Sequence, residues 1–220
     1  MQAGELVQQV AEILQDYGHT TWKEPEILRG LSRGQELIAT YRPDASVVVG
    51  TVELEEGALQ TLPPEAHRFF EAYYNMGDGT EPGRAIRVVS RRIKDASDSR
   101  WQAQPADTEI DEVVIDERTP QNYWVSPPAE EGTHIQIGYS VSPTPLAVIT
   151  DNLSISDQYA PMLIEWALYV AMSRDSEETP NFQRAQGHKQ TFLNMLGVKT
   201  RADNSVTPNR PDAGEQVPPE

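Results

Sequence analysis

Hydrophobic positions divide the chain into three stretches with different periods. Near the start, Leu6, Val10, Ile13, Leu14 and Tyr17 fall on one helical face and predict a helix over residues 4–17 that stops at Gly18. Pro25 opens a second helix whose apolar stripe is Ile27, Leu28, Leu31, Leu37, Ile38 and Tyr41, with Pro43 beyond its end. Gly30 and Gly34 in that stripe either weaken the helix or let a neighbour approach closely. The short link between the two predicts antiparallel neighbours.

The middle changes period. Val47, Val48, Val49, Val52 and Leu54 read as a strand interrupted at Gly50. Leu62-Pro63-Pro64-Glu65 reads as the opening of a short helix carrying Phe69, Phe70 and Tyr73, followed by a glycine-rich loop over 75–83. Strand patterns follow at 85–90, 109–116, 122–125 and 133–141, the last alternating cleanly through Ile135, Ile137, Tyr139 and Val141. Turn signals at Pro120 and Pro127-Pro128 predict a meander of short antiparallel strands rather than a βαβ series.

Helical spacing then returns. Residues 159–174 are apolar nearly all round, which predicts a central buried helix with Pro161 in its first turn. A polar linker over 175–180 leads to a last helix over 181–196, burying Phe182, Ala185, Phe192, Leu193 and Leu196 and ended by Gly197. From Val198 onward there is no period, and Pro208, Pro211, Pro218 and Pro219 predict an extended tail, disordered in the free subunit. The resulting fold class is α+β: a bundle of N- and C-terminal helices with an inserted antiparallel β segment and an extended C-terminal tail. Its expected parts are a helical hairpin (1–45), a β-rich insertion (46–150), helices completing the bundle (151–197) and the tail (198–220).

Composition narrows the function classes. The 220 residues include 18 Lys+Arg against 34 Asp+Glu, a formal net charge of −16, which argues against broad gripping of phosphate backbones. The absence of cysteine removes disulfides, thiolate metal sites and a cysteine nucleophile. No stretch approaches the ~20 apolar residues of a membrane span. The first residues lack the basic and apolar runs of a signal peptide, so synthesis in the cytoplasm is expected.

Motifs for chemistry are missing. His19, His67, His134 and His188 are scattered and have no metal-ligand spacing; His67 and His188 read as helix-surface residues. The loop over 77–83 follows a predicted helix rather than a strand and contains no Gly-Lys-Ser/Thr, so it reads as a surface turn. The pairs Glu55-Glu56, Glu130-Glu131 and Glu177-Glu178 read as solvated turn charges rather than a catalytic dyad. There is no G-x-S-x-G elbow. No catalytic, cofactor or metal residue is assigned. One local reversal of charge stands out. Arg84, Arg87, Arg91, Arg92, Lys94 and Arg100 form a basic cluster, and Asp107, Glu109, Asp111, Glu112, Asp116 and Glu117 an acidic segment just after it. Arg84, Arg87, Arg91, Arg92, Asp111 and Glu112 are therefore candidate contacts across a subunit boundary, the alternative being a solvated strand edge.

Several phrases in order resemble the head–tail adaptor (head-completion, connector) proteins of tailed bacteriophages. They run from Ala11-Glu12-Ile13-Leu14-Gln15-Asp16 and Trp22-Lys23-Glu24-Pro25 through Tyr41-Arg42-Pro43-Asp44-Ala45, Gln60-Thr61-Leu62-Pro63 and Gly83-Arg84-Ala85-Ile86-Arg87. They end with Arg184-Ala185-Gln186-Gly187-His188 and Phe192-Leu193-Asn194-Met195-Leu196-Gly197, so that the resemblance covers about residues 11–200. It implies a non-enzymatic structural protein of the virion neck, without cofactor or membrane partner. The expected partners are further copies of the chain (twelve, as is typical of such rings), the portal protein, and a tail or nozzle protein. DNA would pass through an acidic lumen without specific binding. The tail, through Arg201, Asn204, Val206, Pro208, Arg210 and Pro211, becomes the candidate portal-docking arm. A tail-associated binding module and a small phage hydrolase are the alternative readings.

Overall fold

In the computed structural model, residues 1–174 and 180–206 are described, with side chains described through residue 197. The chain is mixed α+β. It divides into two compact units, Met1–Ile38 with Thr144–Glu220, and Ala39–Pro143.

The helical unit is built on α1 (Ala3–Leu14), most of α2 (Glu24–Tyr41), α4 (Ala160–Met172) and α5 (Pro180–Val206). α1 ends earlier than its apolar spacing predicts. Gln15 adopts a left-handed conformation (φ 55°), and the Asp16 carboxylate accepts hydrogen bonds from the Thr20, Thr21 and Trp22 backbone N–H groups. That carboxylate organises a turn where the helix was expected to continue, so Tyr17 lies outside it and is exposed, as is Ile13. Leu6, Val7 and Val10 carry the buried face instead.

α4 packs against α1 and α5 and is the apolar centre of the unit, and Pro161 sits in its first turn as expected. Both α2 glycines serve close approach. A Cβ on Gly34 would lie 2.9 Å from the Leu163 side chain, and one on Gly30 3.5 Å from the Ala167 Cα. The polar connection before α4 is tied to α2 by two buried side chains. Ser32 Oγ accepts from the Leu146 N–H (2.8 Å), and Gln35 Oε1 accepts from the Ser154 N–H (2.8 Å). α5 does not stop at Gly197 but runs to Val206. A Cβ there meets nothing within 4 Å, and one glycine in a helix costs only about 1 kcal/mol relative to alanine. The first nine residues expected in the extended tail are therefore helical; those from 207 onward lie outside the described residues.

The β unit contains two sheets. One has the order β1 (Val47–Glu53), β7 (His134–Val141), β3 (Ala66–Asn75). The other has the order β2 (Gly57–Thr61), β6 (Asn122–Ala129), β5 (Glu112–Ile115), β4 (Arg87–Ser90). Their apolar faces share one core that includes Phe69, Ile110, Val113, Tyr123, Val125, Ile135 and Ile137, with the Phe69 and Tyr123 rings 5.4 Å apart. β7 alternates as its sequence predicts, with Ile135 and Ile137 fully buried.

Three expectations fail here, each for a local reason. Residues 66–75 form strand β3, not a helix. Three register shifts against β7 place ten residues opposite a shorter partner. Burial then recurs every third residue, at Ala66, Phe69, Ala72 and Asn75, which imitates a helical period. Pro127-Pro128 does not end β6. Both prolines lie beyond the β5 pairing and beside the β2 register shift, where no regular ladder N–H is required of them. The sheets are also not a simple meander. β4 and β5 are parallel, with α3 (Arg91–Ser97) in the crossover between them. α3 buries no residue and so left no hydrophobic signature.

Candidate assembly surface

The basic cluster and the acidic segment are placed on adjacent strands by the β4–β5 pairing, in which Arg87 faces Glu112. Most of their charges meet within one chain. Arg84 reaches Asp111 at 2.6 Å and Glu109 at 3.5 Å. Arg87 and Lys94 both bind Glu112, at 2.7 and 2.6 Å. Arg91 lies between Asp95 (3.5 Å) and Asp116 (3.7 Å), with its guanidinium 4.7 Å from the centre of the Trp124 ring. Lys94 and Glu112 are largely shielded from solvent, so theirs is the strongest of these pairs, whereas the exposed pairs are each worth about 0–1 kcal/mol. Of the six candidate interface residues, Arg84, Arg87, Arg91, Asp111 and Glu112 are thus engaged within the chain. Arg92 has no ion-pair partner among the described residues, and neither does Arg118, which the sequence reading did not single out. Both border a cleft of about 670 Å³ that Arg91, Asp95, Asp116 and Glu117 also line, so that its three guanidiniums stand among three carboxylates.

The six candidates of the C-terminal arm are placed less fully. Arg201, Asn204 and Val206 belong to the last turns of α5. Pro208, Arg210 and Pro211 lie outside the described residues.

The histidines do not converge. His19 lies in the turn after α1. His67 is on strand β3, not on a helix, and contacts Ser142. His134 contacts the Gly132 carbonyl at 2.8 Å. His188 bridges α5 to Glu165 of α4 at 2.8 Å. Among the described residues no group of three or more His, Asp or Glu side chains could hold a metal ion, and no helix is long and apolar enough to cross a membrane. Three aspartates have lowered pKa values from hydrogen-bond donors, among them Asp78, which accepts from the Thr80 hydroxyl and amide. In Asp16 the Trp22 amide and the Thr20 hydroxyl stabilise the carboxylate, and in Asp151 the Val148 and Ala147 amides do so. Each lies in a turn and has a structural part.

The sequence reading missed Asn75, a buried brace. Its Oδ1 accepts from the Ile110 N–H at 2.8 Å, while its Nδ2 donates to the Ile110 and Arg84 carbonyls. A lone asparagine at the end of an aromatic strand gives no signal in sequence.

The candidate residues thus form a surface of paired charges and turns. Residues 1–212 match the family described as SU10 adaptor protein. The chain belongs to that family. It is a phage head–tail adaptor family, a structural and non-enzymatic kind of protein, which implies interaction with other phage head or tail proteins and a place in the virion. A comparison with curated proteins finds no match.

Proposed function

We propose that this adaptor forms a ring in the virion neck, beneath the portal, joining the capsid to the tail or nozzle. The ring holds several copies, twelve in the reading given by the family resemblance, and DNA passes through its acidic lumen without specific binding. The family match over residues 1–212 carries this reading. The net charge of −16 per chain supports it, since an acidic wall repels phosphates and lets a duplex slide. The segment after α5, with Pro208, Arg210 and Pro211, serves as the portal-docking arm. Prolines restrict the free segment and reduce the entropy lost on docking, and repetition around a ring turns weak contacts into avidity.

Quantitative mass analysis of purified virions tests the reading. Multiple copies per particle are expected, and absence of the chain from mature particles would contradict it. Truncation after Val206, which leaves α5 whole, is expected to give a folded protein that fails to join portal-bearing heads. Normal joining would move the portal contact elsewhere on the chain.

A further inference from the structure

Four strands form the outer edges of the two sheets: β1 and β3 of one, β2 and β4 of the other. An outer edge presents unpaired backbone N–H and C=O groups, which native proteins blunt with short strands, bulges, charge or a covering segment. Three of these edges are blunted. β3 has three register shifts, and its end is covered: the Ile86 N–H donates to the Tyr73 carbonyl and the Asn75 N–H to the Arg84 carbonyl, both at 2.9 Å. β2 has five residues and a register shift after Gly57. β4 has four residues, begins at Arg87 and runs directly into α3. β1 has none of these devices. Val47 through Glu53 pair with β7 in one unbroken register, with no proline and no basic residue, and the one charge, Glu53, is at the end. Among the described residues no backbone group bonds to its outer edge.

The side chains of β1 define what can cover it. Val48, Gly50 and Val52 oppose the buried Tyr139, Ile137 and Ile135 and so face the core, whereas Val47, Val49 and Thr51 face the opposite way. Yet Val48 and Val49, on opposite faces, are both open to solvent, 43% and 51% exposed. A helix or loop laid on the sheet would cover one of them and leave the other. A strand added at the edge flanks both, because its own side chains alternate between the same two faces.

We propose that the outer edge of β1 pairs with β1 of a second copy, antiparallel, about a two-fold axis through Gly50. The occupant is a second copy because β1 is its own complement. Full overlap of the seven residues sets Val48 opposite Val52 of the second copy and Val49 opposite Thr51, cross-strand pairs of β-branched side chains that stabilise a sheet. The two Glu53 carboxylates fall at opposite ends, roughly 20 Å apart at about 3.3 Å per residue, and each faces a valine. The two three-stranded sheets become one sheet of order β3-β7-β1-β1-β7-β3. A contact between like surfaces is isologous and closes at two copies. It therefore goes beyond the ring reading: it describes the free chain, and it keeps the valine edge covered until a ring forms through other surfaces.

Sedimentation of the purified chain tests it. Wild type should run as a dimer at micromolar concentration. Val49→Lys should run as a folded monomer, with a dissociation constant raised at least about tenfold, since an edge lysine stops strand pairing. Val49 is exposed, so the circular dichroism of this variant should match wild type. Each copy has a net charge of −16, so added salt, which screens the repulsion, should strengthen wild-type pairing. The chain has no cysteine, which allows a direct check of register. A Cβ at Gly50 would come no closer than 3.7 Å to Tyr139. Gly50→Cys chains should therefore form a disulfide with one another on oxidation, whereas Glu53→Cys chains should not. A monomeric wild type overturns the contact, as do open-ended aggregates in place of a dimer, or Glu53→Cys chains that cross-link as well as Gly50→Cys chains. If Val49→Lys leaves the size of the free chain unchanged but lowers the number of copies per particle, the edge takes a strand of another virion protein and the two-copy contact fails. Dimers in solution with the chain missing from particles overturn the ring reading and leave this contact standing; monomers in solution that still enter particles do the reverse.

Discussion

In the helical unit the defining contacts are apolar and close. Gly30 and Gly34 bring α2 onto α4, and Phe192 is fully buried with its ring 5.1 Å from Trp166. In the β unit an apolar core lies beneath charge: a ladder of ion pairs across β4 and β5, and the exposed Glu55-Glu56 and Glu130-Glu131 pairs, which have no cationic partner among the described residues. The helical unit therefore depends chiefly on shape, with polar ties such as His188–Glu165 at its surface. The β unit depends on shape inside, and its outer charges are largely paired with one another.

The largest effect expected from this contrast is at Phe192. Phe192→Ala removes a ring that seats α5 on α4 and should destabilise the chain by about 3–5 kcal/mol in chemical denaturation. A loss below about 1 kcal/mol would mean that α5 is not part of the helical core. Ile137→Ala, at a fully buried position of β7, should cost about 2–5 kcal/mol. A separate earlier transition seen by calorimetry would show that the β unit unfolds on its own. Gly34→Val overfills the α2–α4 seam, where even a Cβ lies 2.9 Å from Leu163, and should cost about 1–3 kcal/mol. A stabilising result would break the claim that this seam is tight.

These effects also mark what could be read from the sequence. The four long helices, the β7 alternation and the first-turn role of Pro161 were legible because each repeats a period over many residues. β3 was misread because three bulges gave a strand a burial period of three. α3 was missed because none of its residues is buried. The early end of α1 depends on one carboxylate, Asp16, collecting three backbone donors, which no hydrophobic pattern records. In the candidate surface, the opposed charges were visible in sequence. Their pairing within one chain was not, because it follows from the parallel β4–β5 register. The place of Arg118 at the cleft needed the fold.

Asp16 gives a smaller, pH-dependent test. Its pKa is held below the usual aspartate value, so its contribution is present above the unfolded-state pKa near 4 and is lost as pH falls through the folded-state value. Asp16→Asn should lower the melting temperature at neutral pH and flatten the acid side of the stability profile. An unchanged acid side would remove Asp16 from the account. The smallest effect is expected at Arg87, whose side chain is exposed. Arg87→Ala should change stability by about 0–1 kcal/mol and should matter less at high salt. A larger, salt-insensitive loss would make the β4–β5 ladder a structural element rather than a surface one.

The central claim is that this SU10-family adaptor forms a ring in the virion neck. Electron cryomicroscopy of purified virions tests it most directly. The account predicts a closed ring of this chain beneath the portal. Density that places the chain outside the neck, or as isolated copies rather than a ring, would contradict it.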